Sequence, residues 1–229
     1  AGRFDEATNL FKEVLVVVPD SDKVIYYLGA LNQQTNHIPE AIEFFKRIPN
    51  SSVLYGDAGV QIGQMLSGIA REEFFQIKKE GEASAKLMSY IEQKHGEHED
   101  SAVEIKMIQA GYYEDIYQYK KAIGAMNEVR AHKNFTESHS YYLASLMEKD
   151  GQVPEARKLV EAIIEKDPNN AHALNFLGYS YLEKNERLDL AFEYISKAVK
   201  LRPEDGYIRD SLAWYYFQTG KLQSALAEA

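Results

Sequence analysis

Leu174-Asn175-Phe176-Leu177-Gly178-Tyr179-Ser180-Tyr181, followed by Ala191, Ile195, Ala198 and Pro203, is the stretch that decides the fold. Both of its halves return along the chain. Ala191, Ile195 and Ala198 repeat Ala156, Val160 and Ile163, found 35 residues earlier, and these repeat Ala122, Met126 and Val129 a further 34 residues back. Pro168 and Pro203 follow two of these triplets at one offset. Leu143-Ala144, Leu177-Gly178 and Leu212-Ala213 form the other series, with Met147, Tyr181 and Tyr216 three residues after each.

A period of ~34 residues with small side chains at fixed places is the pattern of a helical repeat array. Each unit reads as two antiparallel helices, A then B. Small residues at the Gly178 and Ala191 positions allow close approach, and Leu177, Tyr181 and Ile195 fill the space between turns. Proline beyond helix B stops it and starts the next unit. One unit cannot bury its own apolar face, so neighbours must stack.

On these residues the chain resembles the tetratricopeptide repeat (TPR) family, whose motif runs W-x2-L-G-x2-Y, then A-x3-F-x2-A, then P. The resemblance implies an all-α, right-handed superhelical solenoid of antiparallel helix pairs over residues 1–229. Residues 1–20 read as a lone helix B, with Ala7, Phe11, Val14 and Pro19 in place. Ile25, Leu28-Gly29, Ala41, Phe45 and Ile48 mark the next repeat. The regular part covers about 101–229, and about 51–100 departs most. There Gly59, Gly63 and Gly68 fall on helix A, and Ala83, Leu87 and Tyr90 on helix B. The stretch from Arg71 to Glu82 exceeds a normal turn, which predicts longer helices or an insertion. One extra residue sits near Asn185-Glu186-Arg187. The count is about five full repeats between two half repeats. The chain opens on an unpaired helix B and stops inside another, without an initiator Met, so a piece of a longer solenoid is expected.

Composition narrows the function. The net charge of −9 argues against a phosphate-backbone ligand. No apolar run approaches the ~20 residues of a membrane span. Without Cys there is no thiol or disulfide chemistry, and the compartment stays open. No nucleophile elbow, zinc-protease motif or P-loop occurs, so no enzyme, cofactor or metal is expected. His95-Gly96-Glu97-His98-Glu99-Asp100 is the one dense cluster of metal-ligand types, and it reads as an acidic turn with Asp100 or Ser101 capping the next helix. Gly59-x3-Gly63 reads as close packing of a water-facing helix.

What remains is binding. In TPR proteins helix A lines the concave groove. Carrying those positions over gives Tyr141, Ser145 and Glu148, then His172, Asn175, Tyr179 and Glu183, then Tyr207, Asp210, Trp214 and Phe217. Tyr26, Ala30 and Gln33, and Glu104, Met107 and Glu114, hold like places further back. Tyrosine and tryptophan give large contact area at low entropy cost. Tyr181 and Tyr216 hold a packing position instead. No basic cluster forms, which disfavours a carboxylate clamp. The lining suits a protein or peptide partner with Lys or Arg beside apolar anchors. The expectation is a non-catalytic interaction scaffold. The alternatives are a homo-oligomeric solenoid joined through its open ends, or a regulatory part of a longer enzyme. Leu177-Gly178-Tyr179 with Arg187-Leu188-Asp189, and Asp210-Ser211-Leu212-Ala213-Trp214, look like bacterial TPR proteins, many of them envelope lipoproteins serving as assembly factors or protease adaptors. That resemblance tilts the expected location to the periplasm or outer membrane.

Overall fold

The computed structural model describes residues 2–95 and 99–228, and all of its regular structure is helical. Contacts divide the chain into two units, Ala1–Asn134 and Phe135–Ala229.

In the first unit α1 (Gly2–Val17) packs on α2 (Asp22–Gln34), and α2 pairs with α3 (Ile38–Lys46). Next come α4 (Tyr55–Ile77), α5 (Glu82–His95), a 3₁₀ turn (Glu99–Ser101), α6 (Ala102–Asp115) and α7 (Tyr119–Glu128). The pairs are α4 with α5 and α6 with α7, and α4 also packs on α6. The long stretch after Arg71 is therefore a longer helix A: α4 runs 23 residues. It closes on Lys78 in the left-handed region, and the Glu73 carboxylate accepts from the Ala83 amide of the following helix. Of its glycines Gly63 packs closely, whereas a Cβ on Gly68 would meet nothing within 4 Å. A Cβ on Gly63 would stand 3.0 Å from Ile108 Cδ1, and the Tyr90 hydroxyl donates to the Gly59 carbonyl at 2.8 Å. Ser101 is the residue before α6, but its side chain makes no cap bond to that helix.

The second unit holds α8 (Glu137–Lys149), α9 (Val153–Lys166), α10 (Ala171–Glu183), α11 (Leu188–Leu201), α12 (Gly206–Gln218) and α13 (Leu222–Glu228). They pair as α8 with α9, α10 with α11 and α12 with α13, and α10 also packs on α9 and α12. Leu143, Ala144, Leu177, Ala156, Val160, Ala191, Ile195 and Ala198 are all buried. Gly178 has no room for a side chain: a Cβ there would lie 2.6 Å from Ile195 Cγ1 and 3.0 Å from the Ala191 carbonyl oxygen. Tyr181 is buried and Tyr216 half-buried in one cluster with Ala191 and Ile195. In α12 the neighbouring Tyr215 is buried more deeply than Tyr216, and in α6 Tyr112 is fully buried beside the half-buried Tyr113.

Apart from the turn between α4 and α5, the turns from helix A to helix B share one device. Asn36, Tyr117, Gly151, Asn185 and Gly220 all take positive φ. In each case the next amide bonds back five residues, as in His37 N–H to Asn32 O and Gln118 N–H to Tyr113 O. The same bond joins Gln152 to Met147, Glu186 to Tyr181 and Lys221 to Tyr216. This is the Schellman closure, which satisfies the last carbonyls of a helix. The extra residue between α10 and α11 is absorbed by a second left-handed residue, Arg187, at φ 44°. Helix hairpins closed alike and repeated at this interval make an all-α helical repeat solenoid fold.

Candidate functional site

The first turns of α10 and α12 are set by their caps. The Asn170 side chain accepts from the Ala173 amide, and Asp205 accepts from Tyr207 and Ile208. Capping satisfies amides that the helix leaves open. These caps place His172, Asn175 and Tyr179 along α10, and Tyr207 and Asp210 along α12. With Tyr141 and Glu148 of α8 they line one open groove of about 620 Å³. Ser138, Phe176 and Ser211 complete it. Ser145 is half-buried on α8 outside that lining.

Further along, the Trp214 indole donates to Glu183 at 2.8 Å and stacks on Phe217, ring centroids 5.3 Å apart. Trp214 is 37% exposed, whereas Tyr207 stands 89% exposed at the groove. Tyr141 is held more firmly than its sequence position implied. Its hydroxyl donates to Asn170 Oδ1 at 2.9 Å, its ring stacks on Phe176, and Asn170 Nδ2 donates to Glu137 at 2.9 Å. The Asn175 side-chain oxygen is shielded and finds no hydrogen-bond partner among the described residues.

The groove is electronegative. Burial first, then the Glu137 charge, pushes the Tyr141 hydroxyl up to about 12. The Tyr179 hydroxyl is raised as well, by burial and then by Glu183, Asp210 and Glu148. Among the described lining residues the carboxylates are Glu148 and Asp210, with neither Lys nor Arg. His172 Nε2 lies 4.0 Å from Asp205 Oδ2, at one end of the lining.

The earlier helix-A positions divide. Tyr26 and Glu104 line a separate groove of about 560 Å³ within the first unit, with Asp57, Val60 and Asp100. Ala30 packs on the core around Ile25 and Phe45 instead, and Gln33, Met107 and Glu114 are half-buried. Of the His95–Asp100 cluster, Gly96, Glu97, His98 and the side chains of His95 and Glu99 lie outside the described residues. Among the described residues no group of three His, Asp or Glu is placed to hold a metal, and no helix is long and apolar enough to cross a membrane.

Comparison with known proteins follows the same residues. A tetratricopeptide repeat family model matches residues 141–206. The chain is 33% identical over 137 residues to the TPR repeat-containing protein PA4667 of Pseudomonas aeruginosa. That match takes in 59% of this chain and 23% of the relative, so the chain spans under a quarter of the relative's length. Among solved structures, YrrB, described as a TPR protein with an unusual peptide-binding site, superimposes with a TM-score of 0.54. The overlap covers 93% of this chain and 98% of YrrB at 16% identity, a likeness of fold alone. Repeat register, helix pairing and family match agree: residues 141–206 carry tetratricopeptide repeats, within an all-α repeat solenoid.

Proposed function

We propose that this chain is a non-catalytic adaptor that holds an extended segment of a partner protein in the groove of α8, α10 and α12. The TPR fold is that of a protein-interaction scaffold in general; the groove and the kind of partner are the specific part of the reading. The observation that carries it is the lining: Tyr141, Phe176, Tyr179 and Tyr207 beside Glu148 and Asp210 on one concave surface. Aromatic faces bury a partner's apolar side chains, and the carboxylates attract its Lys or Arg and speed encounter at low salt. Asn175, placed among them, offers its amide to a partner's backbone. The bacterial relative and the wording of the last two repeats support a bacterial adaptor, and that wording supports service in an envelope assembly or proteolysis complex.

The test is selection from a phage library of random short peptides. Tyr179→Ala/Tyr207→Ala is the control, because both rings reach solvent and their loss spares the core. Peptides held by the wild type and lost by the variant, at unchanged melting temperature, support the reading. Equal capture by both proteins refutes the groove.

A second reading rests on α13, where Leu222 and Leu226 stand 58% and 81% exposed one turn apart. Self-association through that face would appear as a concentration-dependent mass in light scattering. A constant monomer mass would refute it.

A further inference from the structure

Of the two carboxylates among the described lining residues, Glu148 is the one tied from behind. Ser180 of α10, 2% exposed, donates its hydroxyl to Glu148 Oε1. Behind Ser180 lies Arg157 of α9, its side chain 12% exposed. Arg157 Nε bonds Ser180 Oγ at 2.9 Å, and a terminal nitrogen bonds the Ser180 carbonyl at 3.0 Å. Its other end is fixed by Glu186 at 2.6 Å, and the guanidinium lies 4.1 Å from the centre of the Tyr181 ring.

The direction of this relay follows from the groups themselves. A guanidinium has donors and no acceptor, so Ser180 must accept from Arg157. Its one hydrogen is then free for Glu148, which as a carboxylate can only accept. Glu148 Oε1 thereby accepts one bond and is fixed in place, and Oε2 has no hydrogen-bond partner among the described residues.

We propose that Glu148 reads a cation on the partner segment, and that Ser180 and Arg157 are positioning residues that make it prefer lysine to arginine. This rests on the peptide-groove reading given above. Arginine binds a carboxylate best through two parallel bonds, one to each oxygen. With one lone pair of Oε1 taken and the carboxylate fixed in orientation by Ser180, the fork must share that oxygen with the serine and meets it off its best geometry. An ammonium is a point charge and needs only the free oxygen. The same bonds tie α9 to α10, so the readout must be one that folding alone does not move, and the lysine-to-arginine ratio is such a readout.

Peptides selected by the wild type are made with lysine, arginine or norleucine at each recurrent basic position. Binding is read by fluorescence anisotropy on the folded wild type, Ser180→Ala, Arg157→Lys and Glu148→Gln proteins. The wild type should prefer lysine to arginine by about three- to tenfold, the net scale of one ordinary hydrogen bond. Ser180→Ala releases Oε1 and should bring arginine level with lysine. Arg157→Lys, which keeps the charge without the fork, should move the ratio the same way if Ser180→Ala fails to fold. Glu148→Gln should remove the preference of both bases over norleucine. Peptides without a basic residue, or a ratio unchanged in the folded relay variants, overturn the proposal and leave the groove reading standing. If no peptide is captured at all, the groove reading falls and this inference falls with it.

Discussion

Gly178→Ala should destabilise the second unit although alanine is the better helix former. The added methyl would meet Ile195 Cγ1 at 2.6 Å and the Ala191 carbonyl at 3.0 Å. Ile195 is fully buried, and a backbone carbonyl cannot turn aside. Overpacking of this kind costs about 1–3 kcal/mol, against a helix-propensity gain of about 1 kcal/mol. The difference is a loss of about 0–2 kcal/mol, and the backbone contact puts it at the upper end, about 2 kcal/mol or about 1 M in the urea midpoint. Trp214, the single tryptophan, lies in the second unit, so its fluorescence in the full chain reports this unit. The neighbouring repeat supplies the compensating change. Where Gly178 faces Ile195, the equivalent residues are Ala144 and Val160, one size up and one size down. Gly178→Ala/Ile195→Val should therefore recover most of the loss, a coupling that independent sites would not show. Gly206→Ala, with nothing within 4 Å of its Cβ, should be neutral or gain a few tenths of a kcal/mol. A Gly178→Ala protein as stable as the wild type, or a double variant no better than the sum of its parts, would refute the close-packing argument.

Tyr117→Gly should stabilise the chain by up to about 1 kcal/mol, because Tyr117 holds φ 62° where glycine is unstrained. A far-UV circular dichroism melt without gain counts against strain at that turn. Asn170→Ala removes a helix cap and the acceptor of Tyr141 at once, and should cost about 1–2 kcal/mol by Trp214 fluorescence. A loss below a few tenths of a kcal/mol would mean that water replaces both bonds. The raised Tyr141 hydroxyl predicts alkaline sensitivity. Its folded pKa of about 12 exceeds the ordinary 10, so its stabilisation is complete below pH 10 and is lost as pH rises toward 12. Tyr141→Phe should flatten the stability profile in that window, and an unchanged slope would place the effect elsewhere.

The repeat register was legible because close packing leaves few choices of side chain. Gly178, Ala191 and Ala198 sit where helices touch, and Leu177 and Ile195 fill the gaps, so any unit of this kind must restate them. For helix-A positions of α8, α10 and α12, helical periodicity assigns the face opposite the core once the core face is known. It does not say which of them share a groove: Ser145, Glu183, Trp214 and Phe217 lie outside the lining. Tyr141, His172, Asn175, Tyr179, Tyr207 and Asp210 then line one groove. Phe176 was missed because it stands beside the motif's packing leucine and reads as core. The left-handed turn residues Asn36, Tyr117 and Asn185 gave no signal, since glycine marks only the turns at Gly151 and Gly220.

Local pattern alone therefore determined the all-α class, the pairing of helices and the helix-A faces. These follow from a period that neighbouring residues enforce within one or two turns. Only the tertiary structure decided how the groove's groups are held. Tyr141 is tied to a cap one repeat away, Trp214 to Glu183, and Glu148 through Ser180 to Arg157. Those bonds join residues 23 to 32 positions apart. Hydrogen-bond partners at that range are chosen by the angle and spacing at which helices pack, and the periodicity of one helix carries no record of them.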